Sequence, residues 1–434
     1  MQWFDIILPD PAAAPVLAAA SARVRKLCAG LPALQERDGL DATSVTACMA
    51  EVGLVLFQAV RAVQPGAFDP EEATGVDAPV LGDPEHDDLV GYHFVVPASL
   101  LDLPWSWLHT SLDFVLAKHP ICWSTRRAGA ARSTLERPWM ERLQRARFLV
   151  DDGGRLGLKG TLAELREGVA RPDVLFVAGH SSDAVRRLIL REGEVLAAAL
   201  DDARWGEPLA DLELPEDSLT PARLREQALA YQAIHYAGPT SQPAGIADAA
   251  GTPWLDRLVQ EATAHADEEF EEMLGLEAKF AGVDQVTAIL DLVAEKYDRR
   301  GTPSSPPSRV AVASPPSGGP GWLLDDGPVD PESFARGPGL PPLVVSNCHC
   351  ALPALGSRFL AAGASTFVGP LAPLYSRPAR LFAGHCWRAL AGGWSVGTAV
   401  WSAARALRQD LGPNHPAWLS YGVQGNGLLA LQYL

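Results

Sequence analysis

The run Leu343-Val344-Val345-Ser346-Asn347-Cys348-His349-Cys350 carries an apolar segment directly into a cysteine. A strand that delivers a thiol at its end is one way to present a nucleophile, because the thiolate is the form that attacks carbon. In an extended chain Cys348 and Cys350 share one face and His349 points to the other, so His349 is poorly aimed as a base for its neighbour. The same trio invites metal binding, but zinc wants about four converging ligands and no second Cys or His pair at finger-like spacing accompanies it. No metal and no cofactor is expected. The glycine-rich GGRLGLKG (153–160) lacks the GxxxxGK[ST] spacing of a phosphate loop. The acids Asp267, Glu268, Glu269, Glu271 and Glu272 read as a solvated helix face.

The elements that must position such a cysteine alternate in type. Strand patterns are expected at Val174–Ala178, Pro208–Leu214 and Tyr231–Gly238, separated by helical patterns at Ala184–Leu200 and Pro221–Ala230. Strands alternating with helices argue for an α/β fold with a mostly parallel, wound sheet flanked by helices. Its carboxyl edge is where sites collect. Upstream, Trp3–Leu8, Tyr92–Val96 and Ile121–Ser124 read as strands, Trp105–Ala117 as helix-like, and the Pro- and acid-rich 64–88 as a loop. His235 alternates away from Gly238 within its strand and is expected in the core.

The boundaries follow from these patterns. An N-terminal α/β half is expected over 1–160 and a second half over 161–434, the latter with a helical insertion at about 251–300 and Pro/Ser/Gly-rich linkers over 301–321. With 434 residues and 47% hydrophobic content, the chain has ample material for a core. A net charge of −16 opposes binding to a phosphate backbone, so no nucleic-acid partner is expected. Six scattered cysteines fit a reducing cytoplasm. The opening MQWFDIILPDP has no signal-peptide character, no uninterrupted apolar run of about 18 residues occurs, and no membrane association is expected.

Several segments taken in order resemble the CHAT family, caspase-like peptidase domains of the clan that holds caspases and separases. FVVPASLLDLPWSWL (94–108) is similar to that family's strand and Leu-Pro-Trp entry, DVLFVAG (173–179) to the first peptidase strand, and REGEVLAAAL (191–200) to its Glu-containing helix. IHYAG (234–238) resembles the strand that runs into Gly-His-Gly, LVVSNC (343–348) the strand ending in the nucleophile, and PAWLSYGVQGN (416–426) the closing strand. The resemblance implies a cysteine endopeptidase with Cys348 as nucleophile, acting on a protein or peptide substrate, often under a regulatory partner chain. It also implies an oxyanion hole near Gly238, where Thr240 and Cys348 retain backbone amides.

The departure is at Pro239, which stands where the family pattern places its catalytic His. Proline cannot accept a thiol proton. His180, directly after DVLFVAG, is the candidate substitute base; it would lie two strands from Cys348, roughly 10 Å by sheet spacing. The alternative for His180 is a loop histidine that caps or is solvated. Two functions stay open: an active or impaired peptidase, and an inactive pseudo-peptidase serving as a protein-binding or scaffold module.

Overall fold

A computed structural model of the chain describes residues 2–37, 42–68, 75–77, 89–110, 112–125, 173–179, 183–201, 211–213, 220–228, 231–238, 240–241, 320–324, 327–335, 339–348, 351–372, 376–392 and 394–430. The expected insertion at 251–300, the linker residues 301–319 and the acidic cluster at 267–272 lie outside the described residues.

The chain opens with strand β1 (Gln2–Ile7) and two long helices, α1 (Pro15–Arg37) and α2 (Ala42–Val63). Strands β2 (Gly75–Asp77), β3 (Val90–Val95) and β4 (Ile121–Ser124) follow. Then come β5 (Asp173–Ala178), α3 (Asp183–Asp201), β6 (Asp211–Glu213), α4 (Pro221–Gln227) and β7 (Ala233–Ala237). Three short strands, β8 (Thr240–Ser241), β9 (Gly321–Leu324) and β10 (Gly327–Val329), and the short helix α5 (Glu332–Ala335) precede β11 (Leu343–Asn347). A π turn (Leu352–Gly356) leads into α6 (Ser357–Ala361), β12 (Thr366–Pro370), α7 (Ser376–Ala391), α8 (Val396–Leu411) and β13 (Tyr421–Gly425).

Among the described residues ten strands form one sheet, in the order β2-β1-β3-β4-β13-β12-β11-β7-β5-β6. The mostly parallel α/β class expected from the alternation of elements is therefore present. The sheet is two parallel blocks of opposite sense. One holds β1, β3, β4 and β13; the other holds β12, β11, β7, β5 and β6; the antiparallel pair β12–β13 joins them. The sheet thus has two carboxyl edges, one for each block. A small antiparallel sheet, β10-β9-β8, packs on one face of the second block.

The apolar strand sequences explain the burial. Leu343, Val344 and Val345 of β11 and the whole of β7 are buried, as strands covered on both faces must be. Helices α3 and α7 cover the face that bears Phe176, His235 and Asn347. Helix α2 buries Val45, Met49, Val52, Leu56 and Val60. Its stretch Ser44–Val63 is long and apolar enough to cross a membrane by length and composition, and in this structure the stripe packs on α1 and the Trp105–Trp107 turn.

Trp105–Ala117, read as helix-like from sequence, is instead two short 3₁₀ turns, Trp105–Trp107 and Val115–Ala117, with His109 bridged to Phe114 between them. Two buried indoles dictate this: Trp105 donates to the Leu100 carbonyl and Trp107 to the Leu419 carbonyl, which a continuous amphipathic helix would not allow. The 64–88 segment read as loop contributes β2, an antiparallel edge strand on β1. Strand β6 and helix α4 fall within the patterns expected at 208–214 and 221–230, whose remaining ends at 208–210, 214 and 229–230 lie outside the described residues.

At Gly53 a Cβ would run into the Trp107 carbonyl oxygen, so only glycine lets α2 seat on that turn. Gly53→Ala is expected to destabilise the protein by about 3 kcal/mol, the upper end of ordinary overpacking, read as an earlier urea unfolding midpoint.

Candidate functional site

Cys348 lies one residue beyond β11, at the carboxyl edge of the second block, and is 3% exposed. Alternation places it on the face of Ser346, and that neighbour is its partner: Ser346 Oγ and Cys348 Sγ are 3.0 Å apart. The Trp322 indole Nε1–H, 2.9 Å away, donates to Ser346 Oγ. An indole is a donor only, so the serine oxygen accepts there; between Ser346 and a neutral Cys348 either the hydroxyl or the thiol can donate, whereas a thiolate would leave only the hydroxyl as donor. A donated hydrogen bond favours a thiolate over a thiol. Trp322 is held for this by Tyr236, stacked on it at 4.6 Å, whose hydroxyl meets both the Leu323 amide and carbonyl at 3.1 Å. Burial, with the nearby Cys348 sulfur adding to it, pushes the Tyr236 phenol well above its usual range, so it stays an O–H.

The opposite face of the same strand end holds a buried polar network. Glu192 of α3, 5% exposed, accepts from His235 Nε2 at 2.6 Å and from Asn347 Nδ2 at 2.8 Å. Trp387 Nε1–H donates to His235 Nδ1 at 2.9 Å, which fixes the tautomer: Nδ1 accepts and Nε2 carries the hydrogen. Asn347 also donates to the Ala379 carbonyl, and its Oδ1 accepts from the Tyr421 hydroxyl. Burial first, then Glu192 and nearby cysteines, keep the Tyr421 phenol protonated as that donor. Asn347, the residue before Cys348, is thus held from three elements.

Of the residues singled out from sequence, the structure places Cys348, Gly238 and Thr240. His180, Pro239, His349 and Cys350 lie outside the described residues. Strand β5, which leads toward position 180, is two strands from β11 with β7 between them. Gly238 ends β7 in close approach to Gly179 at the end of β5, where a Cβ would come within 2.6 Å of the Gly179 Cα. Thr240 belongs to β8 and pairs with Trp322, so the small sheet ties the expected oxyanion segment to the indole that holds Ser346. Among the described residues no imidazole is hydrogen-bonded to Cys348; His235 is committed to the other face of the sheet. Nor is any group of three or more His, Cys, Asp or Glu side chains placed to hold a metal ion among them.

Sequence reasoning missed Ser346 and Trp322. The signal for Ser346 was present, two residues before the cysteine on the same face. Nothing local marks Trp322, since its contact depends on how the small sheet folds over β11.

Fold and site together define a wound α/β protein with a thiol at the carboxyl edge of a parallel block. No family profile and no curated protein sequence matches this chain. Among solved structures, 86% of the chain aligns with 17% of a chain in the Saccharomyces cerevisiae separase–securin complex, at 11% identity and a TM-score of 0.33. The chain spans that small fraction of the other's length, and the fold here rests on its own topology.

Glu192→Ala would leave the His235 and Asn347 donors buried without an acceptor, an expected loss of about 3 kcal/mol in urea unfolding, with Glu192→Gln losing less because one oxygen is kept.

Proposed function

We propose that this chain is a CHAT-type, caspase-like cysteine endopeptidase of attenuated activity, in which Cys348 attacks the carbonyl of a protein or peptide substrate. The observation that carries this reading is the chain Trp322–Ser346–Cys348, which sets a hydroxyl 3.0 Å from a sulfur at the carboxyl edge of a parallel block, where it can donate to a thiolate. Such edges hold the sites of open α/β sheets. The order of sequence segments from Leu-Pro-Trp to the closing strand supports the family assignment. Attenuation follows from Pro239: a hydrogen-bonded thiol without an imidazole base is a weaker nucleophile than a Cys–His pair. In this reading a base comes from His180 or from a regulatory partner chain, and the division at about 160 separates a supporting half from the peptidase half.

A second reading, a pseudo-peptidase that binds protein without turnover, is favoured by the same Pro239 and by the burial of Cys348. The two readings separate on thiol reactivity. The background is quiet, because burial pushes Cys28 up to about 12 and raises Cys48, Cys122 and Cys386 above the ordinary thiol range.

An electrophilic peptidyl ketone, with adducts mapped by mass spectrometry, is expected to label Cys348 faster than Cys350. Ser346→Ala should slow that reaction at pH 7 about tenfold, the equivalent of one hydrogen bond to a charged group, and His180→Ala should slow it further. Labelling of Cys348 no faster than Cys350, and indifferent to Ser346, would leave the binding-module reading.

A further inference from the structure

The sheet's other carboxyl edge carries a second arrangement that the Cys348 site does not use. On β1 and β3, Asp5 and His93 are register partners, and Asp5 Oδ1 lies 2.7 Å from His93 Nδ1. On the far side of the imidazole, His93 Nε2 is 2.8 Å from Ser124 Oγ, the last residue of β4. A carboxylate is an acceptor, so Nδ1 carries the hydrogen it receives; in the neutral ring that leaves Nε2 as the acceptor for the serine O–H. This is the order of groups that makes a serine hydroxyl nucleophilic, recognised by geometry and not by sequence position.

Three further observations favour chemistry over mere packing. Ser124 ends a parallel strand at the carboxyl edge, the position from which α/β sheets present reactive groups. Its backbone is fixed, since the Ser124 carbonyl accepts from Val96 N–H at 2.8 Å. The cover over this face thins toward that edge: along β1, Trp3 is 1% exposed, the Asp5 side chain 10% and Ile7 41%. The imidazole is fully buried, Asp5 and Ser124 are half-buried, and Thr125 beyond the serine is exposed.

We propose that Asp5, His93 and Ser124 form a second nucleophilic site, a Ser–His–Asp relay that hydrolyses carboxylic esters at the carboxyl edge of the N-terminal block. In the first step Ser124 Oγ bonds to the acyl carbon as its proton passes to His93 Nε2. The carbon–oxygen bond to the leaving alcohol breaks, and that alcohol takes the proton from His93. Water then adds to the acyl-serine by the same route, releasing the acid and restoring the serine. Asp5 holds the imidazole tautomer throughout. The Thr125 amide, directly after the serine, is the backbone donor nearest in sequence to the developing oxyanion.

The test treats the full chain with a fluorophosphonate, which forms an Oγ–P bond and loses fluoride, and maps the adduct by mass spectrometry, with hydrolysis of p-nitrophenyl butyrate followed in parallel. The expected result is one adduct, on Ser124, that persists in Cys348→Ala, is absent in Ser124→Ala together with the esterase turnover, and forms at least about 100-fold more slowly in Asp5→Asn. No Ser124 adduct in the folded wild-type protein, or turnover that survives Ser124→Ala, overturns the proposal. If Asp5→Asn fails to fold by circular dichroism, the comparison of wild type with Ser124→Ala decides alone. Persistence in Cys348→Ala keeps this outcome separate from any result at the thiol.

Discussion

A carboxylate in a protein interior must be met by donors, because leaving water costs several kcal/mol that only hydrogen bonds and opposite charge return. Glu192 is such a carboxylate, and it is met from two strands, by His235 on β7 and Asn347 on β11. Trp387 on α7 and Tyr421 on β13 then fix those two donors in turn. One buried side chain thereby sets the relation of α3, α7 and three strands of the second block's neighbourhood. The position of the residue before Cys348 depends on it. Replacing any one member leaves another buried polar atom without its partner, so the network acts as a unit.

The two faces of β11 divide the labour. The Asn347 face is a hydrogen-bonded support built on Glu192, His235 and Tyr421; the Ser346 face carries the thiol beneath Trp322 and Tyr236. A polar support specifies one register of β11, because a slip by one residue would turn Ser346 to the face of Glu192 and Asn347 to the face of the indole. At the other end of the sheet the reversal of strand sense supplies a separate carboxyl edge, so the arrangements around Cys348 and Ser124 share no side chain.

Much of this was legible in the sequence for a physical reason: periodicity. The strands at Ile121–Ser124, around Val174–Ala178 and around Leu343–Asn347 are apolar runs bounded by breakers, and helix α3 has the 3.6-residue repeat. Trp105–Ala117 misled because its large apolar residues satisfy helical spacing while their indoles bond carbonyls outside it, Leu100 just upstream and Leu419 far along the chain. The π turn after Cys348 and the reversal at β12–β13 were not legible, since tertiary packing decides both. Cys348 stood out because a thiol ends a strand. Asp5, His93 and Ser124 did not, because their sequence separations of 88 and 31 residues become contacts only through strand order.

The place of β13 between β4 and β12 has a consequence for how the molecule comes into being. Of the sheet's described strands it is the last in chain order, yet it occupies the middle. While the ribosome is still making what precedes it, β4 and β12 each offer an open row of amides and carbonyls. Such rows recruit any extended segment nearby, including another nascent chain. Neither block can be closed against the other until Tyr421–Gly425 emerges and is threaded into the gap, which makes the final assembly step non-local and slow.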